Sequence, residues 1–226
     1  MTHPTDHPWS LVKGMEPVSF CDWSGRISLV LFLATCNLRC PTCHNSDLVL
    51  RPGSLPQIPR EKVLQTLQDK SHWLDGIVVT GGEPTVVPGL ESLLSELTGL
   101  GFEIKLDSNG FYPELIERLL EQELVRHVAV DVKGPFSKYP RLTGGMAQQD
   151  QARANLERIF HLARREPDSF SFRCTWVPGL SEEDIAEARN YLPGTHRLEL
   201  QKYREPKIAV DEKDRSATMF GDTLKA

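Results

Sequence analysis

Ile27-Ser-Leu-Val-Leu-Phe-Leu-Ala34, followed by Thr35-Cys36-Asn-Leu-Arg-Cys40-Pro-Thr-Cys43-His-Asn45, is the stretch from which the rest of the chain is read. The first part is an almost continuous apolar run, the pattern of a strand buried on both faces. The second part puts three cysteines into one loop past the end of that strand, at the spacing C-x3-C-x2-C. Three thiolates can serve one small volume, and the run holds no fourth. A cubane [4Fe–4S] cluster usually draws one cysteine per iron. Three leave one iron open, and an open iron can bind a substrate. The competing metal is structural zinc, which asks for four ligands in C-x2-C-like pairs. Its fourth ligand here would be His44, adjacent to Cys43, or the distant Cys21 or Cys174.

Downstream of this loop the sequence alternates between strand and helix patterns. Strands are expected at Ile27 to Ala34, Gly76 to Thr80, Phe102 to Asp107, His127 to Lys133, Phe170 to Val177 and Arg197 to Tyr203. Helices are expected at Arg60 to Lys70, Leu90 to Leu100, Pro113 to Gln122, Gln148 to Arg165, and from Ser181, whose Ser-Glu-Glu-Asp is a capping-box-like start. Such alternation implies parallel strands joined by right-handed crossovers. Eight units close a full barrel. Six units predict an α/β fold that is a partial, open (β/α)6 barrel of parallel strands, with a side through which a large substrate can enter. Residues 1–14 read as a mobile arm, 15–204 as the barrel domain and 205–226 as a tail or lid.

The chain has 226 residues and a net charge of −5, with Lys and Arg dispersed rather than clustered. That argues against nucleic acid or an anionic membrane as the main partner. No apolar run reaches the roughly 18 residues of a membrane span, and the first residues lack the pattern of a signal peptide. A cytoplasmic protein is expected. Five cysteines, three of them in one knot, do not make a disulfide framework.

In a parallel barrel, function gathers at the carboxyl ends of the strands. The three cysteines follow the first strand, Gly81-Gly82-Glu83-Pro84 the second and Asp107-Ser108-Asn109-Gly110 the third. Asp131-Val132-Lys133 ends the fourth, Arg173 and Thr175 lie on the fifth, and Gln201 to Arg204 ends the sixth. By period-two alternation Phe170, Phe172, Cys174 and Trp176 share the apolar face of the fifth strand. Arg173 faces the barrel interior, where a charge needs a partner such as Asp131. Lys133 lies on the same side as Asp131. Cys174 is expected in the core and Cys21 packed or under a loop.

The C-x3-C-x2-C loop followed by Gly-Gly-Glu-Pro resembles the radical S-adenosylmethionine enzymes, over about residues 19 to 206. Ser19-Phe-Cys-Asp-Trp-Ser-Gly25, Cys40-Pro-Thr-Cys-His-Asn45, Asp131-Val-Lys-Gly-Pro135 and Phe172-Arg-Cys-Thr175 resemble, more narrowly, the activating proteins of anaerobic ribonucleotide reductase. The resemblance implies that Cys36, Cys40 and Cys43 hold a [4Fe–4S] cluster whose fourth iron binds S-adenosylmethionine. Gly81 and Gly82 would let backbone approach that ligand, and Glu83 would accept from its ammonium. Asp107, Ser108, Asp131 and the Val132 carbonyl resemble a monovalent-cation site beside the methionine carboxylate. Asp107, Asp131, Lys133 and Arg173 would also stand around the cosubstrate carboxylate. Thr42 stands where the family is usually aromatic and would offer its backbone to the adenine. Arg204 stands where related activases have a histidine, near the adenine or ribose.

The chemistry implied is one-electron cleavage of S-adenosylmethionine to methionine and a 5′-deoxyadenosyl radical, which takes hydrogen from a glycine Cα of a partner enzyme. That partner is expected to be anaerobic ribonucleoside-triphosphate reductase, docking at the rim loop Gly134 to Gly145, with flavodoxin or ferredoxin as electron donor. No protein acid or base is required. The rivals are an activase of another glycyl radical enzyme of formate-lyase type, a radical enzyme acting on a small molecule, and a non-catalytic metal-binding module.

Overall fold

The structure is a computed structural model that describes residues 8–205. Seven strands form one sheet in chain order: β1 (Val12–Ser19), β2 (Ser28–Leu33), β3 (Gly76–Gly81), β4 (Glu103–Ser108), β5 (His127–Asp131), β6 (Phe170–Trp176) and β7 (Leu198–Lys202). From β2 to β7 every neighbouring pair is parallel. The sheet does not close, so the partial barrel is open between its edge strands β1 and β7. The helices are α1 (Ser46–Leu50), α2 (Arg60–Lys70), α3 (Leu90–Gly99), α4 (Pro113–Glu121), α5 (Tyr139–Leu142), α6 (Gln149–Arg165) and α7 (Glu182–Asn190). Helix α7 opens with a full capping box. Ser181 Oγ accepts from the Asp184 amide at 3.3 Å, and Asp184 Oδ2 accepts from the Ser181 amide at 2.7 Å.

The expected six parallel strands are all present, and β1 is an addition. Part of the arm assigned to residues 1–14 is ordered: Pro8–Leu11 forms a 3-10 turn, and β1 starts at Val12. Trp9 is buried and its indole donates to Glu96 of α3 at 2.9 Å. β1 runs antiparallel to β2 with two register irregularities, and Pro17 falls in the second. There its missing N–H removes no ladder bond. An edge strand of this kind carries Lys13, Gly14, Glu16 and Pro17, which mask it in the sequence. Residues 1–7 and, beyond Glu205, the expected tail or lid lie outside the described residues.

The two faces of the sheet are unlike. On the outer face Leu29, Leu31, Leu33, Ile77, Val79, Ile104, Leu106, Val128, Val130, Phe170 and Phe172 join the helices in the main core. The inner face holds a small apolar cluster of Trp23, Val30 and Val78 with Phe32 against it. Trp23, from the loop between β1 and β2, packs on this inner face. A Cβ on Gly76 would meet its ring at 2.7 Å, and Arg26 lies over the ring at 4.6 Å. Cys174 is buried as expected. Trp176 is not: it stands at the end of β6, 38% exposed, with its indole donating to the Leu180 carbonyl. Cys21 is exposed rather than packed, since the loop that carries it turns only Trp23 inward.

Candidate active site

The cysteine loop begins on a strained residue. Thr35 has φ of 74°, a left-handed conformation costly for a β-branched side chain. Its amide donates to Leu48 O at 2.9 Å and its carbonyl accepts from the Glu83 amide at 2.8 Å. The Gly82 amide donates to Leu33 O at 2.8 Å. These bonds clamp the start of the cysteine loop against the loop after β3. A Cβ on Gly82 would lie 1.9 Å from Thr35 O, and one on Gly81, with φ of 125°, 2.2 Å from Leu33 O. The two glycines are therefore required by close approach of the chain's own backbone, whereas the sequence reading gave that space to a ligand.

Other side chains fasten the loop across long sequence distances. Asn45 Nδ2 donates to Gly81 O at 2.8 Å. Asn109 Nδ2 donates to Asn37 Oδ1 at 2.7 Å. The Arg39 guanidinium donates to Cys36 O and Leu38 O, and the Arg39 amide to Thr143 O of the rim loop. Cys36, Cys40 and Cys43 all line the resulting cleft. Burial pushes the Cys36 thiol up to about 12 and raises Cys40 and Cys43 as well. These thiols gain most from a bound metal, which draws off their protons. Among the described residues no three His, Cys, Asp or Glu side chains close around a point that would hold a single metal ion.

Glu83 is 1% exposed. Its Oε1 accepts from the Thr85 hydroxyl at 2.5 Å, the Ser108 hydroxyl at 2.8 Å and the Thr85 amide at 3.2 Å. Its Oε2 accepts from the Asn109 amide at 2.6 Å. Burial raises its pKa against these four donors. The carboxylate thus ties the end of β3 to the end of β4. Oε2, with one donor, retains acceptor capacity.

Beside it runs a row of alternating charges across three strands. Lys105 Nζ lies 2.6 Å from Asp107 Oδ1, and Arg173 Nη1 lies 3.1 Å from Asp107 Oδ2. Arg173 Nε donates to Asp131 Oδ1 at 2.5 Å, and Lys133 Nζ to Asp131 Oδ2 at 3.0 Å. Sheet pairing sets part of this, because Asp131 is the register partner of Arg173. Burial works to raise the Asp131 carboxyl, but Arg173 and Lys133 outweigh it and hold the group well below the usual carboxylate range. The Tyr139 hydroxyl accepts from the Lys133 amide at 3.0 Å and fixes the turn after β5.

Every site residue singled out in the sequence lines this one cleft except Arg204. Arg204 is exposed, and its carbonyl meets His44 Nε2 at 2.6 Å. Val132 reaches the cleft while packed in the core. Ser108 lines the cleft, but its hydroxyl is given to Glu83. Lys105, Asn37 and Thr85 were missed. Lys105 stands two residues before Asp107 on the same face of β4, and the alternation marks it only once that face is known to line the barrel interior.

An open, mostly parallel half-barrel with a three-cysteine loop and a polar rim at its strand ends defines a class of radical-generating enzyme. The pattern of the Radical SAM superfamily matches residues 30–192, and the chain belongs to that superfamily. It is 30% identical over 214 residues to a Methanocaldococcus jannaschii protein provisionally named a glycyl-radical enzyme activating enzyme, covering 93% of this chain and 86% of that one. It is 33% identical over 133 residues to 7-carboxy-7-deazaguanine synthase of Hyperthermus butylicus, covering 54% of this chain and 55% of the relative. Streptococcus suis SuiB bound to S-adenosylmethionine shares the fold, with a TM-score of 0.56 and 17% identity over 76% of this chain and 39% of that one.

The superfamily uses a [4Fe–4S] cluster and S-adenosylmethionine, and the residues here fit both. Three soft donors line one cleft, and Glu83, Arg173 and Lys133 line the same cleft. No described helix is long and apolar enough to cross a membrane.

Proposed function

We propose that this radical SAM enzyme is a glycyl radical enzyme activating enzyme, with anaerobic ribonucleoside-triphosphate reductase as its partner. The observation that carries the activating-enzyme reading is likeness to the M. jannaschii protein over nearly the whole of both chains; the choice of partner rests on the motif resemblance in the sequence. The bound cluster and cosubstrate supply the 5′-deoxyadenosyl radical that takes a glycine Cα hydrogen. The chain's own residues bind and orient. Cys36, Cys40 and Cys43 ligate, Glu83 Oε2 accepts from the cosubstrate ammonium, and Lys133 with Arg173 offers positive charge to its carboxylate. Thr42 presents backbone to the adenine. The loop from Gly134 to Gly145 and the open side of the barrel receive the partner's glycine loop. Flavodoxin or ferredoxin serves as reductant in the cytoplasm, and neither nucleic acid nor membrane takes part.

A second reading, a radical enzyme acting on a small molecule, is favoured by the likeness to 7-carboxy-7-deazaguanine synthases over about half the chain. Anaerobic incubation of the reconstituted enzyme with S-adenosylmethionine, a reductant and the reductase separates the two. A glycine-centred doublet in the electron paramagnetic resonance spectrum of the reductase is expected. 5′-Deoxyadenosine formed without that doublet, together with consumption of a small molecule, would establish the second reading. Iron-free protein that binds zinc and releases no methionine would mark a metal-binding module instead.

A further inference from the structure

The resemblance in the sequence implies a monovalent cation between Asp107, Ser108, Asp131 and the Val132 carbonyl. The donors present do not fit one. Each of the four oxygens of Asp107 and Asp131 already has a cationic partner: Lys105 and Arg173 on Asp107, Arg173 and Lys133 on Asp131. The guanidinium of Arg173 spans the two carboxylates, through Nη1 to one and Nε to the other. Ser108 Oγ is turned away, donating to Glu83 Oε1 and accepting the Gly110 amide at 3.1 Å. Each of the carboxylate oxygens keeps a lone pair, as Glu83 Oε2 does, but a metal ion accepted there would stand beside the charges of Lys105, Arg173 and Lys133 at low dielectric.

We infer that Arg173 is the built-in cation of this site, and that S-adenosylmethionine binds here without any monovalent metal ion. The charges support it. Two carboxylates face three protein cations, and the surplus of one suits a single incoming carboxylate. Lys105 and Asp107 are 5% and 7% exposed, so an unpaired charge among them would be costly. The planar fork of arginine can serve two carboxylates at once, which a lysine ammonium does less well.

The test measures S-adenosylmethionine affinity of the unreduced, cluster-reconstituted enzyme by equilibrium dialysis. The salts are sodium, potassium and choline chloride at equal ionic strength, choline being too large to enter the site. The wild-type Kd is expected to vary by less than about twofold among the three, below the roughly 5–150-fold of a genuine coupling. The thermal midpoint of the enzyme without cosubstrate should be the same in all three salts. Arg173→Gln should weaken binding about tenfold or more in choline, and Arg173→Lys, which keeps the charge but not the two-carboxylate fork, should recover only part of that loss. A saturable rise of wild-type affinity with sodium or potassium over choline would overturn the inference. So would Arg173→Gln binding as tightly as wild type in choline. If Arg173→Gln does not fold, the wild-type salt series decides alone.

Discussion

Successive residues of the same strands serve two different regions. On the outer face of β4 to β6, Leu106, Val130 and Phe172 are buried among helices. One residue further along each strand, on the inner face, stand Asp107, Asp131 and Arg173, paired with one another. The outer face is apolar, so its stabilisation comes from burial. The inner face concentrates charge, which contributes little to stability unless fully paired, yet it positions groups where a polar ligand enters. A two-residue period lets one short segment carry both, and a change of parity separates a stability effect from a chemical one.

The largest expected break is on the inner side. Cys40→Ala should remove one cluster ligand, reduce bound iron and sulfide, and bring 5′-deoxyadenosine formation to background. Cys174→Ala, on the outer face of β6, should leave cluster content unchanged and cost about 1 kcal/mol of stability. Iron analysis, product chromatography and denaturant titration read both. A Cys174 variant that lost its cluster would show that the parity assignment fails.

Next in size is Gly82→Ala. The added Cβ would lie 1.9 Å from Thr35 O, so the clamp between the cysteine loop and the loop after β3 must open. A loss of about 2–4 kcal/mol is expected, together with lower cluster occupancy at equal protein concentration. Leu31→Ala, on the outer face of β2 and fully buried, should cost a similar 2–5 kcal/mol or so. Its cluster occupancy and turnover per folded molecule should stay at wild-type level. Equal loss of occupancy in both would mean that the clamp has no role beyond stability.

Legibility followed the same division. The six parallel strands, the five longer helices and the convergence on one rim follow from hydrophobic period and strand-end position, whereas the short α1 and α5 do not. Lys105 did not emerge, because Glu-Ile-Lys-Leu-Asp reads equally as a strand with one solvated face. Only the curvature of the sheet turns that face into a barrel interior. β1 was hidden by its polar and proline content, which suits an edge. The contacts of Asn109 with Asn37 and of Glu83 with Ser108 join residues 72 and 25 apart in the chain, and no local pattern announces them. For Gly81 and Gly82 the sequence showed that space was needed, and the fold shows that the chain's own backbone takes it.

The smallest perturbation leaves the fold intact and sharpens the contrast between loop and surface cysteines. In the cluster-free protein the Cys36 thiol is pushed from 9.0 to about 12, so its thiolate fraction at pH 8 is about a thousandfold below that of an ordinary thiol. Thiolate is the reactive form. Cys21 is exposed, so limiting iodoacetamide should modify Cys21 well before Cys36, as read by peptide mass spectrometry. The sign also sets the course of reconstitution. Lower pH holds the proton on Cys36, and metal binding must release it, so cluster assembly should quicken as pH rises from about 7 to 9. Rapid alkylation of Cys36 at pH 8, or assembly indifferent to pH, would show that the thiol is already ionised before metal arrives and that burial in the cleft is not what governs it.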